Sequence, residues 1–317
     1  MNDTMLSIVI PIYQEQNQVY ANIRAIQQIL VESGISHEFI LVDDGSRDHT
    51  WNEIMRLSQD LGNVNAIRLS RNFGKEAALC AGLDNIRGDA CVIMDADLQH
   101  PPRLIPEMVR LWKESGYDVI EGVKASRGKE KLINKFGANA FYSILKKLSG
   151  LDLDKASDFK LLDRKVVDAW QQMGERIVFF RGMSAWVGFK RMSLPFVVEE
   201  RTEGRSKWSL FRLFNLAINA ITAYSSAPLQ IVTFVGVIFS ISALILAIQT
   251  LYMKFSNIAF SGFTTVILLL LIIGSTLMIS LGVIGTYIAR IFDEVKGRPR
   301  YLVSEKIDKK DVPRKDS

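Results

Sequence analysis

Two long stretches without charge near the C-terminus constrain this chain more than any other feature. Residues 229–253 contain no charged side chain, and none follows Lys254 until Arg290. Each stretch, as a helix, is long enough to cross a hydrocarbon core about 30 Å thick. A pair of buried core helices is the alternative, but a soluble helix rarely stays uncharged for so long. The sequence therefore predicts two membrane spans within residues 228–290.

The flanking sequence indicates how these spans are oriented. The first residues lack a basic region followed by a long apolar run, so no signal peptide is expected. The tail after Arg290 is rich in positive charge, which favours the cytoplasmic side. Its basic residues are Lys296, Arg298, Arg300, Lys306, Lys309, Lys310, Arg314 and Lys315. We expect a multi-pass protein of the inner (cytoplasmic) membrane, with its N-terminal part and its tail in the cytosol. The charged end after about residue 305 is expected to be disordered and to carry no chemistry.

Charge and cysteine content exclude some classes of partner and site. The net charge of the 317 residues is +5, and the basic residues concentrate near the predicted membrane segments rather than in clusters with aromatic residues. Anionic membrane lipid is therefore the expected partner, and nucleic acid is not. Cys80 and Cys91 do not form a C-x-x-C pair, so both are expected to fill the core rather than to form a disulfide or a zinc site.

The N-terminal part alternates apolar runs rich in Val and Ile with helix-like stretches. The predicted strands are residues 6–12, 37–43, 63–69, 89–95 and 117–122. Strands and helices in alternation favour a parallel sheet with helices on both faces. Two further stretches, 131–150 and 207–226, combine basic, apolar and aromatic residues. Both could lie on a membrane surface, and ordinary core packing is the alternative.

Acidic residues follow three of the predicted strands. Glu15 comes after the first strand, Asp43 and Asp44 close the second, and Asp95 and Asp97 follow the fourth. Open parallel sheets bind ligands beyond the carboxyl ends of their strands. We therefore expect these carboxylates to converge at one edge of the sheet.

The segment VIMDADLQHPP (92–102) is the strongest chemical signal. Two aspartates one residue apart at the end of a buried strand are costly unless a cation neutralises them. Hard oxygen ligands suit Mg²⁺ or Mn²⁺, with phosphate and water completing the shell. Asp95 and Asp97 are the predicted ligands, Gln99 could add or orient another, and His100 is less suited. A lone D-x-D pattern also arises by chance.

The order of several motifs gives this pattern its context. The segments IVIPIYQE (8–15), LVDDGSRD (41–48) and LSRNFGKEAALCAGLD (69–84) precede VIMDADLQHPP. Together they resemble family 2 glycosyltransferases, in the polyprenyl-phosphate branch that contains bactoprenol glucosyl transferases and dolichol-phosphate mannose synthases. The resemblance covers nearly the whole chain, including the two predicted spans.

The resemblance implies a GT-A type α/β fold and a set of donor-binding residues. Asp95 and Asp97 would hold the metal on the diphosphate, and Asp43 would lie at the base or ribose. The implied nucleotide-sugar residues are Pro11, Tyr13, Glu15, Asp43, Asp44, Lys75, Asp95, Ala96 and Lys124. Lys124 stands where dolichol-phosphate mannose synthases have an arginine, which leaves its contact with the diphosphate open. A simple turn after a strand is the alternative role for Asp43 to Ser46.

The resemblance also assigns an acceptor side. Asp158, in ASDFKLLDR (156–164), would approach the acceptor, with a turn or helix cap as the alternative. Arg201, Gly204, Ser206 and Lys207, in EERTEGRSKWSL (199–210), would form a cationic loop for phosphate, with lipid headgroups as the alternative. A polyprenyl phosphate is already mostly anionic, so Asp158 is expected to position groups first and to accept a proton second. The predicted catalytic residues are Asp97, Asp158, Arg201 and Lys207.

The implied activity is inverting transfer of a hexose to undecaprenyl phosphate. Glucose from UDP-glucose is the first expectation, and GDP-mannose, UDP-N-acetylglucosamine or a UDP-amino-arabinose donor are alternatives. A processive polysaccharide synthase is an alternative enzyme, but it would be expected to show a Q-x-x-R-W segment and more membrane spans. A catalytically inactive membrane scaffold is the alternative that is not an enzyme. The expected domains are a cytosolic GT-A domain (1–206), a juxtamembrane amphipathic helix (207–227), two transmembrane helices (228–290) and a basic cytosolic tail (291–317). A homo-oligomer is expected because two spans give little membrane core.

Overall fold

A computed structural model describes residues 4–124, 157–174, 180, 182, 186–196, 226–256 and 262–308. Its first part alternates strands and helices as the sequence predicts. The elements are β1 (Leu6–Ile12), α1 (Val19–Glu32), β2 (His37–Asp43), α2 (Thr50–Asp60), β3 (Val64–Leu69), α3 (Lys75–Leu83), β4 (Ala90–Ile93), a 3₁₀ turn (Pro102–Leu104), α4 (Ile105–Ser115) and β5 (Val119–Lys124). The first two strands have the predicted bounds, and the next three differ by at most two residues at either end.

The later elements are β6 (Lys160–Asp163), α5 (Arg164–Gln171), β7 (Arg191–Phe196), α6 (Ala227–Phe255), α7 (Phe263–Val295) and β8 (Val303–Ile307). The two stretches predicted to be interfacial, 131–150 and 207–226, lie outside the described residues except for Ser226. The cationic loop from Arg201 to Lys207 lies outside them as well.

The strands form one mixed sheet in the order β7-β5-β6-β4-β1-β2-β3-β8. β1 lies parallel to β2 and β4, and β2 lies parallel to β3, which confirms the parallel arrangement for this half. The sheet is mostly parallel, as expected for a GT-A type fold, and its antiparallel pairings are those of β6, which lies between β4 and β5, and of β8 along β3. The β6 register pairs Ile93 with Lys160. Asp158, two residues before β6, is therefore brought toward the carboxyl end of β4.

Alternating side chains on the strands explain why helices cover both faces of the sheet. Ile8 and Ile10 of β1 belong to a buried cluster with residues of α1, α2 and α4, such as Ile23 of α1. Val9 points to the opposite face. There its side chain meets α3 so closely that a Cβ at Gly82 would lie 2.3 Å from Val9 Cγ1. Cys80 and Cys91 are both buried and free, as expected for core residues.

The two long helices, α6 and α7, form part of a second compact unit that ends at Gly297. Segments Ala227–Met253 and Leu269–Val295 are long and apolar enough to span a membrane. Large apolar side chains on both helices are exposed, including Leu244 and Leu277. These helices coincide with the two predicted spans.

The tail that follows α7 belongs to the sheet unit from Arg298 onward. Instead of becoming disordered near residue 305, it forms β8 at the edge of the sheet, where Ala66 pairs with Ile307 and Arg68 with Glu305. β8 extends to Ile307, slightly past the point after which disorder is expected, because a charged segment gains order when a partner strand satisfies its backbone groups.

Candidate active site

A cavity of about 340 Å³ opens at the carboxyl ends of β1 and β4. Its lining includes many of the residues singled out in the sequence, namely Pro11, Tyr13, Glu15, Asp44, Lys75, Asp95, Ala96 and Asp97. It also includes Ile12, Asn72, Gly74 and Ala78, which the sequence analysis did not single out individually. Asn72 and Gly74 fall within the motif RNFGKE, so their position beside a predicted site residue was the available signal.

The turn after β1 presents Tyr13 and Glu15 to this cavity. Gln14, between them, has a φ of 55°, a left-handed conformation that is uncommon for a residue with a side chain. The segment from the turn after β2 to the start of α2 holds this turn, since Gln14 N donates to Ser46 Oγ at 2.9 Å and Glu15 N donates to Thr50 Oγ1 at 2.8 Å. Strained backbone maintained by such contacts is common at functional sites.

The turn after β2 is organised by Asp44. The two oxygens of this nearly buried carboxylate accept hydrogen bonds from Phe73 N at 2.7 Å and Gly74 N at 2.9 Å. Gly45 follows with a φ of 67°, and a Cβ there would lie 2.4 Å from the carbonyl carbon of Arg71. Asp44 thus fixes the loop that leads into α3 and lines the cavity at the same time.

The turn after β4 carries the D-A-D segment. Asn22 Nδ2 of α1 donates to the carbonyl of Ala96 at 2.7 Å, and Gln99 N donates to Asp97 Oδ1 at 3.0 Å. Leu98 has a φ of 57°, again a strained position beside the site. Gln99 contacts Asp97 through its backbone and is not part of the cavity lining, so its predicted role as a ligand stays a prediction.

Lys75 links Asp95 to Asp158, the residues expected on the donor and acceptor sides of the site. Its Nζ lies 2.5 Å from Asp95 Oδ1 and 2.9 Å from Asp158 Oδ2. Burial alone would lower the pKa of Lys75, and the carboxylates of Asp158 and Asp95 outweigh that effect and raise it. The ammonium is therefore charged at neutral pH and offsets part of the negative charge of the site.

Glu15 shows that negative charge nevertheless remains in excess. Burial raises the pKa of its carboxyl group, and the nearby carboxylates of Asp97, Asp95 and Asp48 raise it further. These carboxylates would oppose the entry of a diphosphate, and a cation bound among them would reduce that repulsion.

Asp43 lies behind the cavity rather than in its lining. Its side chain is fully buried, accepts a hydrogen bond from Ser46 N at 3.0 Å, and has Arg68 Nε 3.3 Å from Oδ2. Among the described residues no well-oriented donor satisfies that Oδ2 atom. Burial raises the pKa of Asp43, while Ser46 and Arg68 act in the opposite direction.

A second cavity of about 580 Å³ shares Tyr13 and Asn72 with the first. Three arginines, Arg47, Arg68 and Arg71, line it together with Ser304 and Glu305 of the tail. None of these five residues was assigned to the site from the sequence, and the tail residues lacked any local signal.

The remaining predicted residues have different surroundings. His100 is buried and stacked on Phe159 at 5.1 Å between ring centroids, which suits a packing role rather than a metal ligand. Lys124 is the last residue of β5, paired in register with Phe196 of β7. Arg201, Gly204, Ser206 and Lys207 lie outside the described residues, so their roles stay predictions.

The donor set of Asp95 and Asp97 is suited to a hard divalent ion. The described residues contain no group of three or more His, Cys, Asp or Glu side chains arranged to hold a metal. Two carboxylates that leave the other positions to phosphate and water are nevertheless the usual arrangement for Mg²⁺. The excess negative charge around Glu15 also favours binding of a divalent cation.

The chain is similar to one protein family, to individual glycosyltransferases and to a solved structure. Residues 7–170 match the family described as Glycosyl transferase family 2. The chain is 39% identical over 303 residues to an uncharacterized glycosyltransferase of Synechocystis sp., covering 95% of each chain. It is 33% identical over 308 residues to the SfII prophage-derived bactoprenol glucosyl transferase of Shigella flexneri, covering 95% of this chain and 97% of the other. Among solved structures, it is similar to the mannosyltransferase PcManGT of Pyrobaculum calidifontis in complex with GDP-Man and Mn²⁺, with a TM-score of 0.43, 16% identity, and coverage of 80% and 83% of the two chains.

Proposed function

The chain belongs to glycosyl transferase family 2 and is a glycosyltransferase with a GT-A-like fold; from this premise we propose that it transfers a hexose from a nucleotide-sugar to a polyprenyl phosphate at the cytoplasmic face of a membrane. The observation that carries the proposal is the convergence of Glu15, Asp95 and Asp97 on one cavity at the carboxyl ends of the strands. Asp158, tied to Lys75, adds a further carboxylate at its margin.

The carboxylates argue for a donor that binds together with a cation. Asp95 and Asp97 would hold Mg²⁺ or Mn²⁺, which when bound would neutralise charge on the departing nucleoside diphosphate. Tyr13 and Asp44 would form part of the wall of the nucleoside pocket. Asp44 would act chiefly by fixing the loop at Phe73 and Gly74.

The acceptor side is the region around Asp158. The ammonium group of Lys75 contacts both Asp158 and Asp95, so Asp158 lies next to the cavity in which the donor would bind. Arg201 and Lys207 would hold the acceptor phosphate in line with the anomeric carbon, and attack from behind would invert that centre. A phosphate nucleophile needs little help from a base, so Asp158 is assigned to positioning.

Several observations support a membrane location. Two helices are long and apolar enough to span a bilayer. The return of β8 to the sheet that contains β1 supports an even number of membrane crossings between β7 and β8. We therefore propose two crossings, with the domain of residues 1–206 and the tail of residues 291–317 in the cytosol, residues 207–227 at the interface, and anionic lipid contacting the basic segments. Assembly into a homo-oligomer is part of this proposal.

UDP-glucose is the proposed donor, and the similarity of the chain to proteins named bactoprenol glucosyl transferases supports this proposal. The test is transfer by the purified protein to undecaprenyl phosphate, with radiolabelled UDP-glucose, UDP-N-acetylglucosamine, GDP-mannose and a UDP-amino-arabinose each supplied in turn. We expect a lipid-linked product from UDP-glucose. A product from another donor alone would replace glucose and keep the reaction class. No product from any donor would support the inactive-scaffold alternative.

A matched pair of variants shows whether transfer depends on the cavity. Asp97→Asn removes a predicted metal ligand, whereas Asp60→Asn removes a carboxylate on α2 that accepts a hydrogen bond from Tyr20 Oη. Only the first should abolish transfer.

A further inference from the structure

The tail after α7 is attached to the sheet unit by side chains as well as by strand pairing. Tyr301 Oη donates to Asp84 Oδ2 at 2.8 Å, and Lys306 Nζ donates to Asn85 Oδ1 at 2.9 Å. Leu302 O accepts from Ser70 N at 2.8 Å, next to Arg71 in the second cavity. These contacts fix the register of β8 against β3.

That register places Glu305 opposite Arg68. Glu305 Oε1 accepts from Arg68 Nη1 at 2.8 Å, and Glu305 Oε2 accepts from the indole nitrogen of Trp51 at 3.0 Å. Both carboxylate oxygens are thus engaged, although the side chain is half exposed. Trp51 is buried in the core, so it provides Glu305 with a rigid support.

Arg68 connects this contact to the turn after β2. Its Nε lies 3.3 Å from Asp43 Oδ2, and its Nη2 donates to the carbonyl of Ser46 at 3.3 Å. The guanidinium is partly exposed and lines the second cavity, whereas Asp43 is fully buried behind it. Without Glu305, Arg68 would be free to turn toward solvent and leave the buried carboxylate without its counter-charge.

The backbone of β3 is irregular where it pairs with β8. The pairing of β3 with β8 shifts register between Arg68 and Leu69. Such irregularities re-aim side chains and occur often beside active sites. Here the shift falls where β3 leads into Ser70 and Arg71, both in the cavity lining.

We propose that β8 is part of the donor site, and that Glu305 is a positioning residue that holds Arg68 against Asp43 for binding of the donor's nucleoside diphosphate. The inference rests on the proposed function, since it takes the donor to bind beside the turns after β1 and β2. It gives the tail a role in the reaction that its sequence does not indicate.

The test compares Glu305→Gln with Lys306→Gln in the full-length protein. Gln can still accept from Trp51 but loses the charge that holds Arg68, whereas Lys306 lies on the same strand and contacts Asn85 and Asp308. Calorimetry with UDP and with GDP, each in the presence of Mg²⁺, measures the dissociation constant. We expect Glu305→Gln to weaken binding of the preferred nucleotide about threefold, the size typical of a partly exposed ion pair, and Lys306→Gln to leave it unchanged.

A double-mutant cycle separates positioning from general stabilisation. In an Asp43→Asn background the effect of Glu305→Gln should disappear, because the carboxylate that Arg68 serves is gone. An equal effect in both backgrounds, or wild-type affinity in Glu305→Gln, would overturn the inference alone. A wild-type protein that binds neither nucleotide would overturn the proposed function together with it.

Amide exchange in the wild-type protein provides a second measurement that does not depend on a variant. Nucleotide binding should slow exchange of the backbone amides in residues 302–307. Unchanged exchange there, with slowed exchange in the turn after β1, would show that the tail is not part of the site.

Discussion

At the scale of single residues, Lys75 organises the charges of the site. Its ammonium contacts Asp95 and Asp158, which are far apart in sequence and belong to the two sides of the proposed reaction. The motif RNFGKE indicated that Lys75 lies near the donor, and the structure places it in the lining of the cavity. The link to Asp158 could not be predicted, because it depends on the antiparallel register of β6.

The position of Asp44 was predicted from the sequence, but the hydrogen bonds it makes were not. It was predicted to line the nucleoside pocket, and it does line the cavity. Both of its oxygens, however, bind backbone amides of Phe73 and Gly74. A carboxylate that closes a distant loop and one that contacts ligand look the same in sequence, since the difference lies in tertiary hydrogen bonds.

The role of Asp158 can be tested by a single substitution. Asp158→Asn keeps the size of the side chain and weakens its contact with Lys75. If Asp158 positions groups, transfer should fall by about 10- to 100-fold while the dependence of the rate on pH keeps its shape. The measurement is initial rate against pH for the wild type and the variant under saturating donor.

Glu114→Gln, which alters an exposed ion pair with Arg110 on α4, is the control and should behave as the wild type. A rate that rises steeply with pH in the wild type, and is flat in Asp158→Asn, would instead identify Asp158 as a general base.

At the scale of elements, the strands that carry the site were predictable and those that complete it were not. β1 and β2 contain apolar runs, so the sequence pattern alone predicted their bounds. β6 has four residues, and β8 reads VSEKI with two charges. Such segments lack a pattern of their own and become strands because β4 and β3 provide edges to pair with.

Gly45 tests whether the turn after β2 supports the site. In Gly45→Ala the new Cβ would collide with the backbone of Arg71, and the residue would also have to keep its positive φ. We expect a lower melting temperature and weaker nucleotide binding, because Arg71 and Asn72 line the second cavity. Thermal unfolding and calorimetry with UDP are the measurements.

Gly34 offers a matched control. Its φ is 64°, close to that of Gly45, but a Cβ there meets nothing within 4 Å. Gly34→Ala should therefore show only the conformational penalty, about 1 to 2 kcal/mol, and normal binding. Equal binding by both variants would show that the close approach to Arg71 has no bearing on the donor.

At the scale of the whole molecule, chain connectivity determines where the tail must be. The uncharged stretches predicted α6 and α7, and the return of β8 to the sheet adds that the N-terminal domain and the tail share one compartment. The sequence suggested this arrangement from the lack of a signal peptide, the two spans and the basic residues of the tail. It could not show strand pairing, because β3 and β8 are separated by most of the chain.

Reporter fusions in a Gram-negative host test this arrangement. Green fluorescent protein fused after Ser317 should fluoresce, and alkaline phosphatase fused there should be inactive, because both would remain in the cytosol. Alkaline phosphatase fused after Ser256, at the end of α6, should be active. Active phosphatase at the C-terminus would contradict the proposed pair of crossings.

The central claim is that Asp95 and Asp97 bind a divalent ion together with the donor's diphosphate. Calorimetry of UDP binding, in Mg²⁺ or Mn²⁺ and in EDTA, tests it most directly for the wild type and Asp97→Asn. The wild type should bind UDP only when the divalent ion is present, and Asp97→Asn should lose at least about 100-fold in affinity. Equal binding by the wild type in EDTA, or unchanged affinity in the variant, would contradict it.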